Sequence, residues 1–297
     1  MKIASLLSAG TEIVCALNAR ENLVGRSHEC DYPPTVTALP VITRPTFDIT
    51  MSSRDIDTAV RRHLASGEPL YHVNIELLEL LDPDVIITQS HCVLCAAADH
   101  DLAQHCQRLH GEIVSLKAGT LAGIQRDILR IGEAIGKTTE ALRYIESDLQ
   151  RRENIAQRVA GRTHPSVVVL EWVDPLFAMG NWGPEMVELA GGVCRLGNSG
   201  RHSAAIEAQG LLQADPDIII IAPCGFDIPR ARREAAVLEL IPGWKSLKAV
   251  RAGQVFLADG NRYFNRSGTS ITDSIEILAQ ILHGSGQPAD SAMWQPA

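Results

Sequence analysis

Reactive side chains gather in a few short stretches of this chain. The run RSHECDYPP, residues 26–34, sets His28, Glu29, Cys30, Asp31 and Tyr32 side by side, and Pro33 and Pro34 stiffen its exit. Packing alone does not explain five polar or reactive groups in one loop. TQSHCVLC, residues 88–95, puts Cys92 and Cys95 in a C-x-x-C spacing just after His91. That spacing lets both sulfurs face one point, as a metal or a redox disulfide requires. A closed zinc site needs further ligands, for which His28 and Cys30 are candidates if the loops converge. Cys224, in APCGFD at residues 222–227, follows a later apolar run. Cys30, Cys92, Cys95 and Cys224 are therefore a candidate set for a metal ion or iron–sulfur cluster. Two other readings stay open: thiols that merely line a pocket, and Cys224 as the nucleophile of a thiol enzyme acting on a small molecule.

A second group of residues suits ligand contact rather than reaction. LEWVDPLFAMGNWGPEM, residues 170–186, carries Trp172, Phe177, Asn181 and Trp182 among glycines and prolines. DGNRYFNRSG, residues 259–268, offers Asn261, Tyr263, Phe264 and Asn265. Rings at a cleft suit a large, flat, partly apolar ligand, and Phe226 beside Cys224 belongs with them. Gly10 and Thr11 open a helix directly after the first apolar run, where backbone N–H groups are free to hold a polar group. Thr11 also reads as the helix cap.

These stretches share one feature: each follows an apolar run of strand length. Such runs are Ile3–Leu7, Val85–Thr88, Ile113–Leu116, Val167–Leu170, Ile218–Ile221 and Val255–Leu257. Helical patterns alternate with them, which predicts parallel sheets with crossover helices. In open parallel sheets ligands bind beyond the carboxyl ends of the strands. LLELLDPDVIITQ at residues 77–89 is echoed by LLQADPDIIIIAP at residues 211–223, and TEIVCALNA at 11–19 by PEMVELAGG at 184–192. Two echoes in the same order predict two related α/β lobes, over residues 1–120 and 162–297. Between them, apolar residues recur at three-four spacing from Leu121 to Val159. We read residues 121–161 as one long linking helix, about 60 Å if unbroken, that limits the lobes to a small hinge motion. Two helices with a turn near Gly136–Thr139 would fit the same residues. The sequence after Leu282 has no periodicity and reads as a loose or irregular tail.

Composition narrows the function classes. The 297 residues include 27 basic and 35 acidic side chains, a net charge of −8. Nucleic-acid binding needs clustered cations, which this balance does not supply. No apolar run approaches the roughly 18 residues of a membrane-spanning helix. The N-terminus lacks the pattern of a signal peptide, so the sequence as given is expected in the cytoplasm with its seven cysteines as thiols or ligands. Dinucleotide, P-loop and nucleophile-elbow fingerprints are absent.

The start SLLSAGTEIVCALNA, the loop SHECDYPP, the segment DPDVIITQ and the linking helix resemble the substrate-binding proteins of ABC importers for cobalamin and iron siderophores, the cobalamin-binding branch most of all. The likeness runs from about residue 2 to residue 282. Asp31–Pro34 and the pair Tyr263–Phe264 are its more specific matches. It implies a class III periplasmic-binding-protein-like fold: two Rossmann-like lobes with parallel sheets, joined by one long helix. It further implies a corrinoid in the cleft near Tyr32, Trp182, Tyr263 and Phe264, and an ABC permease as partner. Glu12 and Glu185, at echoed positions, are candidates for meeting that permease. The expectation is thus a non-catalytic binding protein for cobalamin or a related corrinoid. Its ligand-contact set is Gly10, Thr11, His28, Glu29, Tyr32, Trp172, Asn181, Trp182, Phe226, Tyr263, Phe264 and Asn265, and His28 or a cysteine would be the cobalt ligand. The sequence departs from the importer pattern in its thiols and in its start.

Overall fold

The structure is a computed structural model and describes residues 1–89, 110–284 and 293–297. In the first lobe the order is β1 (Ile3–Ser5), α1 (Ser8–Ala16), β2 (Leu23–Arg26), β3 (Thr43–Pro45), α2 (Ser53–Ser66), β4 (Tyr71–Val73), α3 (Ile75–Leu81), β5 (Val85–Gln89) and β6 (Glu112–Leu116). Helices α4 (Leu121–Ala134) and α5 (Thr138–Val159) lead to the second lobe. There follow β7 (Ser166–Val173), β8 (Leu176–Ala178), α6 (Gly183–Leu189), β9 (Val193–Cys194), β10 (Ala204–Ala205) and α7 (Ala208–Ala214). The lobe closes with β11 (Ile218–Ile221), α8 (Ile228–Ala235), α9 (Lys248–Arg251), β12 (Val255–Ala258), α10 (Ile271–His283) and β13 (Trp294–Pro296).

The first sheet has the order β2-β1-β5-β6, all parallel. In the second, β7, β11 and β12 are parallel, β8 and β10 extend one edge, and β13 closes the other antiparallel to β12. Alternate residues of a strand point to opposite faces. Val167 and Val169, with Ile218 and Ile220, face the core that continues into the first lobe, while Val168, Leu170, Ile219 and Ile221 face a separate cluster around Trp244 and Leu247. Both faces are covered, and that is why these strands read as unbroken apolar runs.

The sequence echoes correspond to matching structure. Asp82 and Asp215 end α3 and α7 in the left-handed conformation, at φ of 47° and 36°. Two residues on, Asp84 accepts from the backbone N–H of Lys2 at 2.6 Å, and Asp217 from that of Ser166 at 2.9 Å. In each lobe the DPD turn therefore ties the start of the central strand to its neighbour.

Three expectations are corrected. The linker is two helices rather than one: Gly136 takes φ of 68° and breaks the ladder between α4 and α5. The apolar seam keeps its phase because α5 folds back on α4, close enough that Gly132 faces Ala141 with no room for a side chain. Thr11 is not a cap, since α1 begins three residues earlier at Ser8. The end of the chain is not loose at residues 294–296, which pair with β12 while Trp294 packs edge-on against Phe256 at 5.5 Å.

Candidate functional site

The carboxyl ends of both sheets meet at one cleft. Leu6 and Leu7 after β1 and Gln89 at the end of β5 supply one wall. Cys224 and Gly225 after β11, with Gly260, Asn261 and Asn265 after β12, supply the other. A chamber of about 110 Å³ lies between them, and a second of about 90 Å³ is lined by first-lobe residues. Leu7, Glu29 and Gln89 line both, so the chambers are neighbours.

Glycine at 260 is dictated by the close approach of two backbones. A Cβ there would stand 2.1 Å from the carbonyl oxygen of Pro223. Asn265 pins the same corner, donating from Nδ2 to the carbonyls of Ala222 and Gly260 at 3.0 and 2.9 Å.

His28 lies in the wall of the smaller chamber with Thr43 and Tyr71. Its Nδ1 is 2.7 Å from the Thr43 hydroxyl, and its ring is 5.3 Å from that of Tyr71. Nε2 is buried and has no hydrogen-bond partner among the described residues; Glu29 Oε1 is 3.9 Å away. Burial pushes the His28 pKa below the ordinary histidine value, against the pull of Glu29. Burial thereby favours the neutral imidazole, the form that binds metals.

Beside the larger chamber an ionic network joins the lobes. Glu12 of α1, its side chain 1% exposed, accepts from Arg266 at 2.7 Å, Arg262 at 3.3 Å and the Thr269 hydroxyl at 3.2 Å. Burial raises the Glu12 pKa, and the two guanidinium groups oppose that rise. Arg266 also meets Asp31 at 2.8 Å. Burial works against its charge, yet Glu12 and Asp31 hold it protonated. Asn261 donates to Asp31 at 2.8 Å, and the Arg262 guanidinium lies over the Tyr32 ring, 3.5 Å from its centre. Every one of these contacts crosses from the first lobe to the loop after β12. Sequence reasoning missed Arg262 and Arg266 while naming the residues around them. The signal was there: two cations four apart in a short loop, with an acid-rich loop and a helical Glu elsewhere to meet them.

Of the expected ligand contacts, His28, Glu29 and Asn265 lie on the chamber walls, and so does Cys224. Tyr32 is exposed at the rim, and Tyr263 is half-buried behind Arg262. The rest are elsewhere. Trp182 is buried and donates its indole N–H to the Phe264 carbonyl at 2.7 Å; Phe264 itself has no exposed surface. Trp172 and Phe226 pack together at 5.0 Å, and Trp172 donates to the carbonyls of Ser53 and Asp174. These rings are framework rather than a ligand wall. Gly10 is wedged against Ile87, and the Thr11 hydroxyl donates to Cys30 Sγ at 3.0 Å. Asn181 bonds the Arg201 carbonyl and is not on either chamber wall.

The metal set is corrected at Cys30, whose side chain is in the core with its thiol pushed up to about 11 by burial. Cys92 and Cys95 lie outside the described residues. Among the described residues no group of three or more His, Cys, Asp or Glu side chains is placed to hold a metal ion. Glu12 is buried, and Glu185 accepts from the Leu121 N–H at 2.8 Å and the Ser199 hydroxyl at 2.6 Å, so both are committed internally rather than presented to a permease. Among the described residues no helix is long and apolar enough to cross a membrane.

Comparison with known proteins gives the same architecture. The chain is 23% identical to the high-affinity heme uptake system protein IsdE of Staphylococcus aureus (strain bovine RF122 / ET3-1), over 73% of this chain and 72% of that one. The periplasmic vitamin B12 binding protein BtuF of Vibrio cholerae superposes with a TM-score of 0.69 at 20% identity, covering 95% of this chain and 96% of BtuF. A periplasmic heme binding protein from Pseudomonas aeruginosa gives 0.72 at 18% identity, covering 99% and 96%. The fold is that of class III periplasmic binding proteins. Expectation of a cytoplasmic location gains no support from a family named for periplasmic members. The periplasmic binding protein family model matches residues 3–261, and the chain belongs to that family.

Proposed function

We propose that this chain is a non-catalytic substrate-binding protein that holds a metallated tetrapyrrole between its lobes and hands it to an ABC permease. A corrinoid of the cobalamin type is the first reading. The observation that carries the proposal is His28: an imidazole on the wall of the smaller chamber, which adjoins the inter-lobe cleft, oriented through Nδ1, with Nε2 left without a hydrogen bond among the described residues. A metal at the centre of a flat ring supplies the missing partner, since imidazole suits cobalt and iron. An Nδ1 contact that fixes the ring orientation is the usual accompaniment of such ligation.

Haem is the second reading, favoured by the named ligands of IsdE and the Pseudomonas aeruginosa protein, as BtuF favours vitamin B12. Either ligand exceeds the present chambers, whose volumes of about 110 and 90 Å³ fall below the roughly 300–1,000 Å³ of ligand pockets. Uptake therefore requires the lobes to part and the contacts of Asp31 and Tyr32 with Asn261, Arg262 and Arg266 to open.

Titration with cyanocobinamide, cyanocobalamin and haemin, followed by absorbance and calorimetry, tests this. The expected result is uptake of one ligand per chain with a spectral shift that His28→Ala abolishes. No heat and no shift with all three ligands rejects the proposal.

A further inference from the structure

From the charges around the cleft we infer that Glu29 sets ligand specificity, admitting tetrapyrroles with a neutral or cationic rim and opposing those with carboxylates. The inference rests on the tetrapyrrole reading above and adds to it a choice between two ligand classes.

Glu29 lines both chambers, and about half of its side chain is exposed. Its Oε1 is 3.9 Å from His28 Nε2 and accepts from the Tyr71 hydroxyl at 3.5 Å, a long contact. Arg266, on the wall of the larger chamber, and Arg262 beside it are both committed, while Arg26, whose charge acts on His28, donates to the carbonyls of Ser27 and Thr37. Arg266 is buried between Glu12 and Asp31, and Arg262 is paired with Glu12 and covers Tyr32. Two guanidinium groups thus face two carboxylates. Besides Glu29 and the paired Arg266, the described polar side chains on the wall of the larger chamber include amides and hydroxyls: Gln89, Asn261, Asn265, Ser8 and Ser267.

The two ligand classes differ in what such a wall can accept. The rim of a corrinamide carries amides, which pair with amides and hydroxyls at no charge cost. Haem carries two propionates. Each needs a donor, and desolvating a carboxylate beside another carboxylate is unfavourable. At the ring centre the preference has the opposite sign. A carboxylate 3.9 Å from the coordinating nitrogen favours a metal centre with net positive charge. Glu29 therefore discriminates by the rim and tolerates the metal.

Haemin and cyanocobinamide are titrated into the parent protein and into Glu29→Gln at low and high sodium chloride. In the parent, cyanocobinamide should bind at least about tenfold tighter than haemin, and haemin affinity should rise with salt as repulsion is screened. Glu29→Gln should raise haemin affinity relative to cyanocobinamide about tenfold and flatten the salt dependence of haemin binding. A circular-dichroism spectrum and urea midpoint matching the parent's show that the variant is folded. Haemin binding that is tighter than cyanocobinamide in the parent, or a ratio of the two affinities unchanged by Glu29→Gln, overturns the inference while leaving the tetrapyrrole reading intact. Failure of the parent to bind either probe overturns both.

Discussion

Replacing Arg266 by Met tests whether the buried network holds the two lobes together. Arg266 is 7% exposed at its side chain and Glu12 is 1% exposed, so neither has water to fall back on. Removing one partner of a buried pair costs about 3–5 kcal/mol, because the other charge is left desolvated. Glu12 would keep Arg262 at 3.3 Å and the Thr269 hydroxyl at 3.2 Å, which places the loss near the lower end, about 3 kcal/mol. For 297 residues the unfolding entropy is about 0.6 kcal/mol/K, so 3 kcal/mol lowers Tm by ~5 °C. Urea unfolding of the parent, Arg266→Met, Glu12→Gln and the double variant measures the coupling directly. The double variant should lose much less than the sum of the two single losses. A loss below about 1 kcal/mol for Arg266→Met, or strict additivity, would show that this pair behaves like a surface contact and that the described closure is wrong.

Asp31→Asn makes the contrasting case: Asp31 is half-exposed, so its loss should cost only about 0.2–1 kcal/mol in urea unfolding, while stopped-flow uptake of cyanocobinamide becomes faster. Gly260→Ala should destabilise by at least about 2 kcal/mol, since its methyl group meets backbone at Pro223 and Ala222. Gly210→Ala, within α7 and with open space around it, should stabilise by about 0.5–1 kcal/mol on the same assay. Burial of the Glu171 carboxyl, which only the Ser203 hydroxyl offsets, raises its pKa to about 7. A carboxyl whose folded pKa is raised favours folding below its unfolded pKa and loses that advantage as pH rises through about 7. Stability should therefore fall between about pH 4.5 and pH 7 by up to about 3 kcal/mol. Glu171→Gln should remove this slope, as urea midpoints measured across that range will show.

Strands and their order of use were legible because burial on both faces leaves a plain signal. Ile218–Ile221 and Val85–Thr88 can hardly be anything but central strands of a covered parallel sheet. The DPD echo was legible for a different reason: Asp82 and Asp215 end a helix in the left-handed conformation while Asp84 and Asp217 clasp a neighbouring backbone N–H. The same local task was solved twice by the same residues. Placement of the loops beyond the strand ends followed from topology, and it brought His28, Glu29, Asn265 and Cys224 to one cleft.

What stayed hidden depends on three-dimensional partners. Aromatic residues flanked by Gly and Pro look exposed in sequence, yet Trp182 finds the Phe264 carbonyl and Trp172 finds Ser53, and each satisfied indole N–H lets its ring be buried. The helical seam through Leu121–Val159 is equally compatible with one helix or with a hairpin whose two apolar stripes face one core. Gly136 decided between them through a single dihedral angle. Glu12 resembled a surface acid at an echoed position because the partner that buries it, Arg266, lies 254 residues away.

The most direct test of the central claim is the position of the metal in a crystal of the protein grown with cyanocobinamide. Anomalous scattering at the cobalt edge should show one peak between the lobes, about 2 Å from His28 Nε2 as expected for a metal–imidazole bond, with the corrin rim against Glu29 and Asn261. A peak on an outer surface, or a liganded crystal in which His28 keeps its distance from the metal, would contradict the account.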